Sequence, residues 1–438
     1  MNEIIYDPRI WISPPYSKCP KCQQKTFGIL GIHKSSYEKR CKNCMYPNPH
    51  RNEPSYIIPL PKISKKIIYL DQMAISNMMK VLNPNTRAYN KIDKIWLHLF
   101  EKLDKLCKMQ FIICPSSSFH QKESALSPYY DAIKSMYNLL SNGIEFKNAF
   151  NLKMDQVILS LQLFLDSKPF SHDILQHDLA FNEDINFWQD HIFLTIDPKI
   201  TEDQIELARK QRDEISEEFN KELFEKWQAS SKSFQEFFDI EEKATFQIVI
   251  EDYMEYAKEQ STITEEERFT NLLHFDIPVN VILFNTIHDI IKKQYSDLKI
   301  SLQTTIDFIK SANFKSLPSH KISSYMFAGL ARKATHGQKR PPSKGMLNDI
   351  NIISDYLPFC DSMFLNNECI ALLTENPTCD YIKNFNTRLY SKNSINSFLE
   401  YLNDIENNAT PDHINKLKEV YGDSWGKPYT TLYSTKGE

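Results

Sequence analysis

Residues 345–373 read GMLNDINIISDYLPFCDSMFLNNECIALL, and the fold turns on how this stretch is divided. Asp349 sits at a helix start, and Ile350, Ile353 and Leu357 follow at helical spacing. Pro358 breaks that helix. Asp361 then opens a short apolar strand, Met363-Phe364-Leu365, and a second helix begins near Glu368. Carboxylates at the junctions of helix and strand place acids at the lip of a sheet, where a cation gathers them. Asp71 and Glu123 are the partners available from elsewhere in the chain.

Working outward, Lys65-Lys66-Ile67-Ile68-Tyr69-Leu70-Asp71 is a β-rich run closing on a carboxylate, and the chain then turns into a helix. A strand apolar on both faces belongs at the centre of a parallel sheet. Such sheets bind ligands beyond the carboxyl ends of their strands, where Asp71 falls. The bland reading of Asp71 is an N-cap for the following helix. Residues 88–108 form an amphipathic helix (Tyr89, Ile92, Ile95, Trp96, Leu99, Phe100, Leu103), and the strand Phe111–Cys114 follows it. The next helix starts at Pro115-Ser-Ser-Ser118 and places His120 and Glu123 on one face. Strand, helix, strand, helix predicts an α/β fold with parallel strands. Thr387–Ser391 adds one more strand, and a helix through Phe398, Leu399 and Leu402 follows. The polar tail from about 409 onward receives no role.

From about 150 to 320 the pattern is helical and charge-rich. Residues 201–228 alternate acids and bases along a solvated helix, while Phe234, Phe237, Phe238, Phe246, Ile248 and Ile250 read as bundle core. The acids and histidines of residues 172–184 match no ligand template. This region reads as a helical subdomain inserted into the α/β core.

Cys19-x-x-Cys22 and Cys41-x-x-Cys44 lie with 18 residues between the pairs. Two such pairs give tetrahedral Cys₄ ligation of zinc, with no position left for water, so the metal is structural. A core this small depends on it. The pattern resembles a zinc ribbon, with Gly28, Gly31, Tyr37, Lys39 and Arg40 lining a surface for nucleic acid or protein. Five prolines in residues 45–62 read as a linker.

At 438 residues the chain exceeds one typical core. The expected organisation is a zinc-ribbon module and linker (1–62), an α/β core in two parts (63–150 and 321–438), and a helical insertion (151–320). Residues 1–66 carry 12 Lys/Arg against 4 Asp/Glu, a balance of +8 within a chain of net charge −4. Zinc-bound thiolates would lower this by two, so the front of the chain stays basic and suits a polyanion. The absence of a signal-like N-terminus, of a membrane-length apolar run and of a disulfide-like cysteine pattern points to the cytoplasm. Arg332, Lys333, Lys339, Arg340 and Lys344 lie in a stretch without acids just before Asp349, and such a basic loop can hold a phosphodiester backbone.

The order of acids (Asp71 at a strand end, Glu123 on the second helix, then Asp349 and Asp361 beside a late strand) resembles the PIN-like nuclease domain. The strand-Asp-x-x-x-Ile-Ser opening and the NDI…YLPFCDSMFLNNE block are similar too, over residues 65–125 and 323–405. The resemblance implies a Rossmann-like parallel sheet and hydrolysis of RNA, less often single-stranded DNA. It also implies Asp71, Glu123, Asp349 and Asp361 as catalytic ligands of Mg²⁺ or Mn²⁺, with Asn366 as a further candidate. Where the family often carries another aspartate after the last strand of this block, this chain has Asn366-Asn367, and an amide is a poorer ligand for a hard cation. The alternative expectation is therefore a weakly active or inactive PIN-like scaffold that binds nucleic acid or protein. An activating or inhibitory protein partner is compatible with either.

Overall fold

The computed structural model describes residues 7–125, 127–189, 221–262, 277–422, 427 and 432–433. The charged run expected at 201–228 lies outside these residues except for 221–228, which are helical. Among the described residues, two four-stranded sheets organise the fold.

The first sheet is antiparallel: β1 (Ser13–Ser17), β2 (Phe27–His33), β3 (Ser36–Cys41) and β4 (Tyr56–Pro59), paired in that order. The proline-rich stretch read as a linker thus contributes a strand. Edge position makes this possible, because β4 pairs only with β3 and proline is tolerated where one side of a strand needs no N–H donor. The surface expected on this module is also largely turned inward. Tyr37 is fully buried and donates its hydroxyl to Glu419, Lys39 is 8% exposed, and Arg40 pairs with Glu38. Gly28 lies against β1, where an added Cβ would come within 2.4 Å of the Ser13 carbonyl.

The second sheet is parallel throughout, with strand order β6-β5-β7-β8 formed by β5 (Lys66–Leu70), β6 (Ile112–Ile113), β7 (Ser362–Phe364) and β8 (Arg388–Tyr390). β5 is central, which is why KIIYL has no polar face after its first residue. Alternate side chains serve two cores. Ile68 and Leu70 pack with helices Gln72–Leu82, Ile95–Lys108, Tyr130–Ser141 and Ile395–Asn407 on one side. Ile67 and Tyr69 pack with helices Pro318–Thr335, Met346–Tyr356 and Asn367–Leu373 on the other. The molecule is therefore α/β, helices covering both faces of a parallel sheet.

A third core joins helices Ala149–Leu165, Phe234–Thr262, Val279–Gln294 and Leu298–Lys310 through Val157, Leu161, Val249, Phe284, Ile287 and Phe308. The tail is not without a role. Helix Pro411–Tyr421 buries Leu417 and Val420 in the first core, and His413 stacks on Phe111 at 4.4 Å. That core also takes in Ile29, Ile32 and Tyr37 of the antiparallel sheet. Among the described residues, no helix is long and apolar enough to cross a membrane.

Candidate functional site

The carboxyl edge of the parallel sheet gathers the acids. Asp71 follows β5 directly, and its backbone N–H continues the ladder by donating to Phe364 O at 2.9 Å. Its side chain caps helix Gln72–Leu82, accepting from Met73 N at 3.5 Å. Burial and the nearby charge of Asp349 push its pKa up to about 7, although N–H groups of Met73, Gln72 and Asn366 pull the other way. Asp349 comes from the first turn of helix Met346–Tyr356. Burial raises it to about 6, opposed by hydrogen bonds from Asn366 and Cys369. Two desolvated carboxylates of like charge thus lie close enough for each to disfavour ionisation of the pair.

Asn366 braces this pair. Its Nδ2 donates to Asp349 Oδ2 at 2.7 Å, and its Oδ1 accepts from Cys369 N at 2.9 Å, capping helix Asn367–Leu373. Both ends of the amide are engaged, so Asn366 orients an acid and caps a helix. Glu123, half-buried on helix Ser118–Ser124, acts electrostatically on Tyr69 and Tyr137, and Asp71 acts on the same two rings. Its charge therefore lies near the two rings that Asp71 also influences.

Asp361 is elsewhere. It precedes β7, and β7 runs parallel to β5, so Asp361 sits beside Ile67 at the amino edge. Its Oδ2 accepts from Ile67 N at 2.8 Å and its Oδ1 from Lys66 Nζ at 2.7 Å. Four residues of strand, about 13 Å, separate Ile67 from Asp71. Asp361 is a structural end-cap of the sheet and cannot join the other three acids. The acid that sequence reasoning missed is Glu368. It lies half-buried in the first turn of helix Asn367–Leu373, its pKa raised by burial, and its charge raises that of Asp349. The available signal was an acid two residues past the capping Asn366 at the carboxyl end of β7.

His120 lies beneath this edge, fully buried between Tyr69 (ring centroids 5.0 Å) and Tyr137 (4.4 Å). Burial lowers its pKa to about 3, so the imidazole is neutral at ordinary pH. The basic stretch divides in two. Arg332 and Lys333 are bound to Glu375 at 2.6 and 3.0 Å, whereas Lys339, Arg340 and Lys344 are exposed.

The four cysteines form the second centre. Cys19 and Cys22 lie between β1 and β2, Cys41 ends β3 and Cys44 follows it. Cys19 Sγ lies 3.6 Å from Cys44 Sγ, and Cys22 Sγ 3.6 Å from Cys41 Sγ. A tetrahedron with Zn–S bonds near 2.3 Å has edges of about 3.8 Å. Backbone amides of Lys21, Cys22 and Cys44 point at the sulfurs at 3.4, 3.5 and 3.4 Å. This cluster can bind a metal ion such as zinc. Among the described residues it is the one group of three or more His, Cys, Asp or Glu whose ligand atoms all lie within 4.8 Å of one another. The acids at the sheet edge are more widely spaced.

Comparison of the chain with protein families, with curated proteins and with solved structures finds no match.

Proposed function

We propose that this chain is a PIN-like, metal-dependent nuclease that hydrolyses phosphodiester bonds, most readily in RNA. The observation behind this reading is the pair Asp71 and Asp349, brought from two distant segments to the carboxyl edge of a parallel sheet and raised toward neutrality by burial. Glu123 and Glu368 extend the same negative region. Oxygen ligands of this kind suit Mg²⁺ or Mn²⁺, and Mg²⁺ is commonly held by one or two carboxylates with waters completing its shell, which fits the wider spacing. When bound, such a cation lowers the pKa of an attacking water and stabilises charge on the phosphoryl oxygens. The chain's own residues supply the negative charge that concentrates the cation, and Asn366 fixes the Asp349 oxygen. Lys339, Arg340 and Lys344 attract the polyanion at the rim. Zinc at the four cysteines ties down the turns of the antiparallel sheet and takes no part in the chemistry.

The test is cleavage of end-labelled single-stranded RNA and DNA with Mn²⁺, Mg²⁺ or EDTA, with zinc content checked throughout. Cleavage that requires Mg²⁺ or Mn²⁺ and is lost in both Asp71→Asn and Asp349→Asn is the expected result. Equal cleavage by wild type and Asp71→Asn would overturn it. A second reading, a PIN-like scaffold that binds without cutting, is favoured by the Asn366–Asp349 bond, which already occupies one carboxylate oxygen. Calorimetry separates the two, since a scaffold shows no Mn²⁺ binding that depends on Asp71.

A further inference from the structure

Helix Pro318–Thr335 crosses helix Asn367–Leu373 closely. Gly329 marks the contact, where an added Cβ would meet the Leu372 side chain at 3.2 Å. One helical turn from this contact, Lys333 on the first helix and Glu368 on the second come into electrostatic range, and Lys333 lowers the Glu368 pKa. Lys333 therefore stands at the rim of the acidic edge.

Its ammonium is held by Glu375 Oε1 at 3.0 Å, while the other oxygen of the same carboxylate takes Arg332 Nη2 at 2.6 Å. Arg332 Nη1 also donates to Asn376 O at 3.3 Å, and the guanidinium lies 5.5 Å from the Phe234 ring centroid. One carboxylate bridging a guanidinium and an ammonium reproduces what the oxygens of a phosphate do. All three side chains are partly open to solvent, at 32% for Arg332, 27% for Lys333 and 38% for Glu375.

We propose that Arg332 and Lys333 form a subsite for a backbone phosphate of the nucleic-acid strand, and that Glu375 occupies it as an internal stand-in. The proposal rests on the nuclease reading for the identity of the strand. The Arg332 guanidinium is already fixed by its other contacts, so the incoming phosphate displaces a carboxylate and reorders little else. Glu375 thereby competes with the strand for the subsite and weakens binding of any strand that places a phosphate there.

The experiment is fluorescence anisotropy of a labelled 20-nucleotide single-stranded RNA with the full-length protein. Mg²⁺ and Mn²⁺ are omitted to prevent cleavage, and KCl is varied. Glu375→Gln should bind at least about 5-fold tighter than wild type at low salt, since each freed phosphate contact adds about 0.7 to the salt slope on a single strand. The double variant with Lys333→Gln should lose most of that gain. Inorganic phosphate in competition should weaken Glu375→Gln more than wild type at matched ionic strength. Unchanged or weaker RNA affinity in a folded Glu375→Gln overturns the subsite. Should that variant fail to fold, Lys333→Gln alone decides: a shallower salt slope supports the subsite and an unchanged slope overturns it. Cleavage dependent on Asp71 together with an unresponsive Glu375→Gln removes the subsite alone. Tighter binding without any metal-dependent cleavage removes the nuclease alone.

Discussion

The two edges of the parallel sheet carry the same residue type in opposite states. At the amino edge, Asp361 has both oxygens answered, one by the Ile67 amide and one by the Lys66 ammonium. At the carboxyl edge, Asp71 is desolvated and its principal charged neighbour is another acid, Asp349. An aspartate with donors on both oxygens stabilises the fold; an aspartate set against a like charge gives up part of the stability that its helix cap contributes. The difference arises from direction. All four strands run the same way, so an acid before a strand and an acid after one fall on opposite sides of the molecule.

The sharpest way to break this contrast is to neutralise one acid at each edge. Asp71→Asn keeps the helix cap, because asparagine caps as well as aspartate. It is expected to lower metal-dependent cleavage by about 10²–10³-fold, the usual loss when one electrostatic partner leaves a reacting centre. Single-turnover rates on labelled RNA measure this. Next in size is Asn366→Ala, which removes the brace on Asp349 without touching a carboxylate. Loss of such an orienting contact typically lowers metal affinity by about 10–100-fold, read by Mn²⁺ titration calorimetry. A wild-type Mn²⁺ affinity in this variant would show that Asp349 needs no orientation.

At the other edge, Asp361→Ala leaves the Ile67 amide without its acceptor. The expected loss is about 1–3 kcal/mol of stability, measured by urea unfolding, with cleavage per folded molecule unchanged. If activity instead fell as it does for Asp71→Asn, the two edges would not be functionally distinct.

Much of this arrangement was legible in the sequence, for reasons that also mark where reading stopped. KIIYL has no polar face, and only a central parallel strand tolerates that, so β5 and Asp71 at its end were readable. The CxxC pairs were readable because ligand spacing is local. Asp361 falls at the opposite edge because it precedes a strand parallel to β5, and strand direction is not displayed by nearness to Asp349 in the sequence. Glu368 is harder to read, because two asparagines stand where the resemblance leads one to expect an acid and the helix that carries Glu368 begins only after them. β4 was hidden among prolines, which are excluded from central strands but not from edges. The bond between Tyr37 and Glu419 spans 382 residues, and no local pattern foretells it.

The smallest expected effect follows from protonation and distinguishes the edges without any substrate. The Asp71 carboxyl titrates near 7 in the folded chain against an ordinary value of 3.8. Between those values the native state holds a proton that the unfolded chain has released, so stability falls as pH rises through this window. Asp349, near 6, contributes in the same direction. Above pH 7 both acids are ionised and repel each other, and Asp71→Asn relieves that repulsion. At pH 8 the variant should melt higher than wild type. A relief of about 1 kcal/mol corresponds to roughly 2–4 °C for domains of 150–250 residues, and the difference should vanish near pH 4, where both wild-type acids are largely protonated. Saturating Mn²⁺ at pH 8 should raise the wild-type Tm and close the gap, because a cation relieves the same repulsion that the substitution removes. Asp361→Ala should show neither the pH-dependent gain nor the loss of the Mn²⁺ response, since Asp361 is paired with the Lys66 ammonium and not set against a like charge. A Tm for Asp71→Asn below that of wild type at pH 8 would mean that the two carboxyl-edge acids are held by contacts as favourable as those of Asp361, and the distinction between the edges would fail.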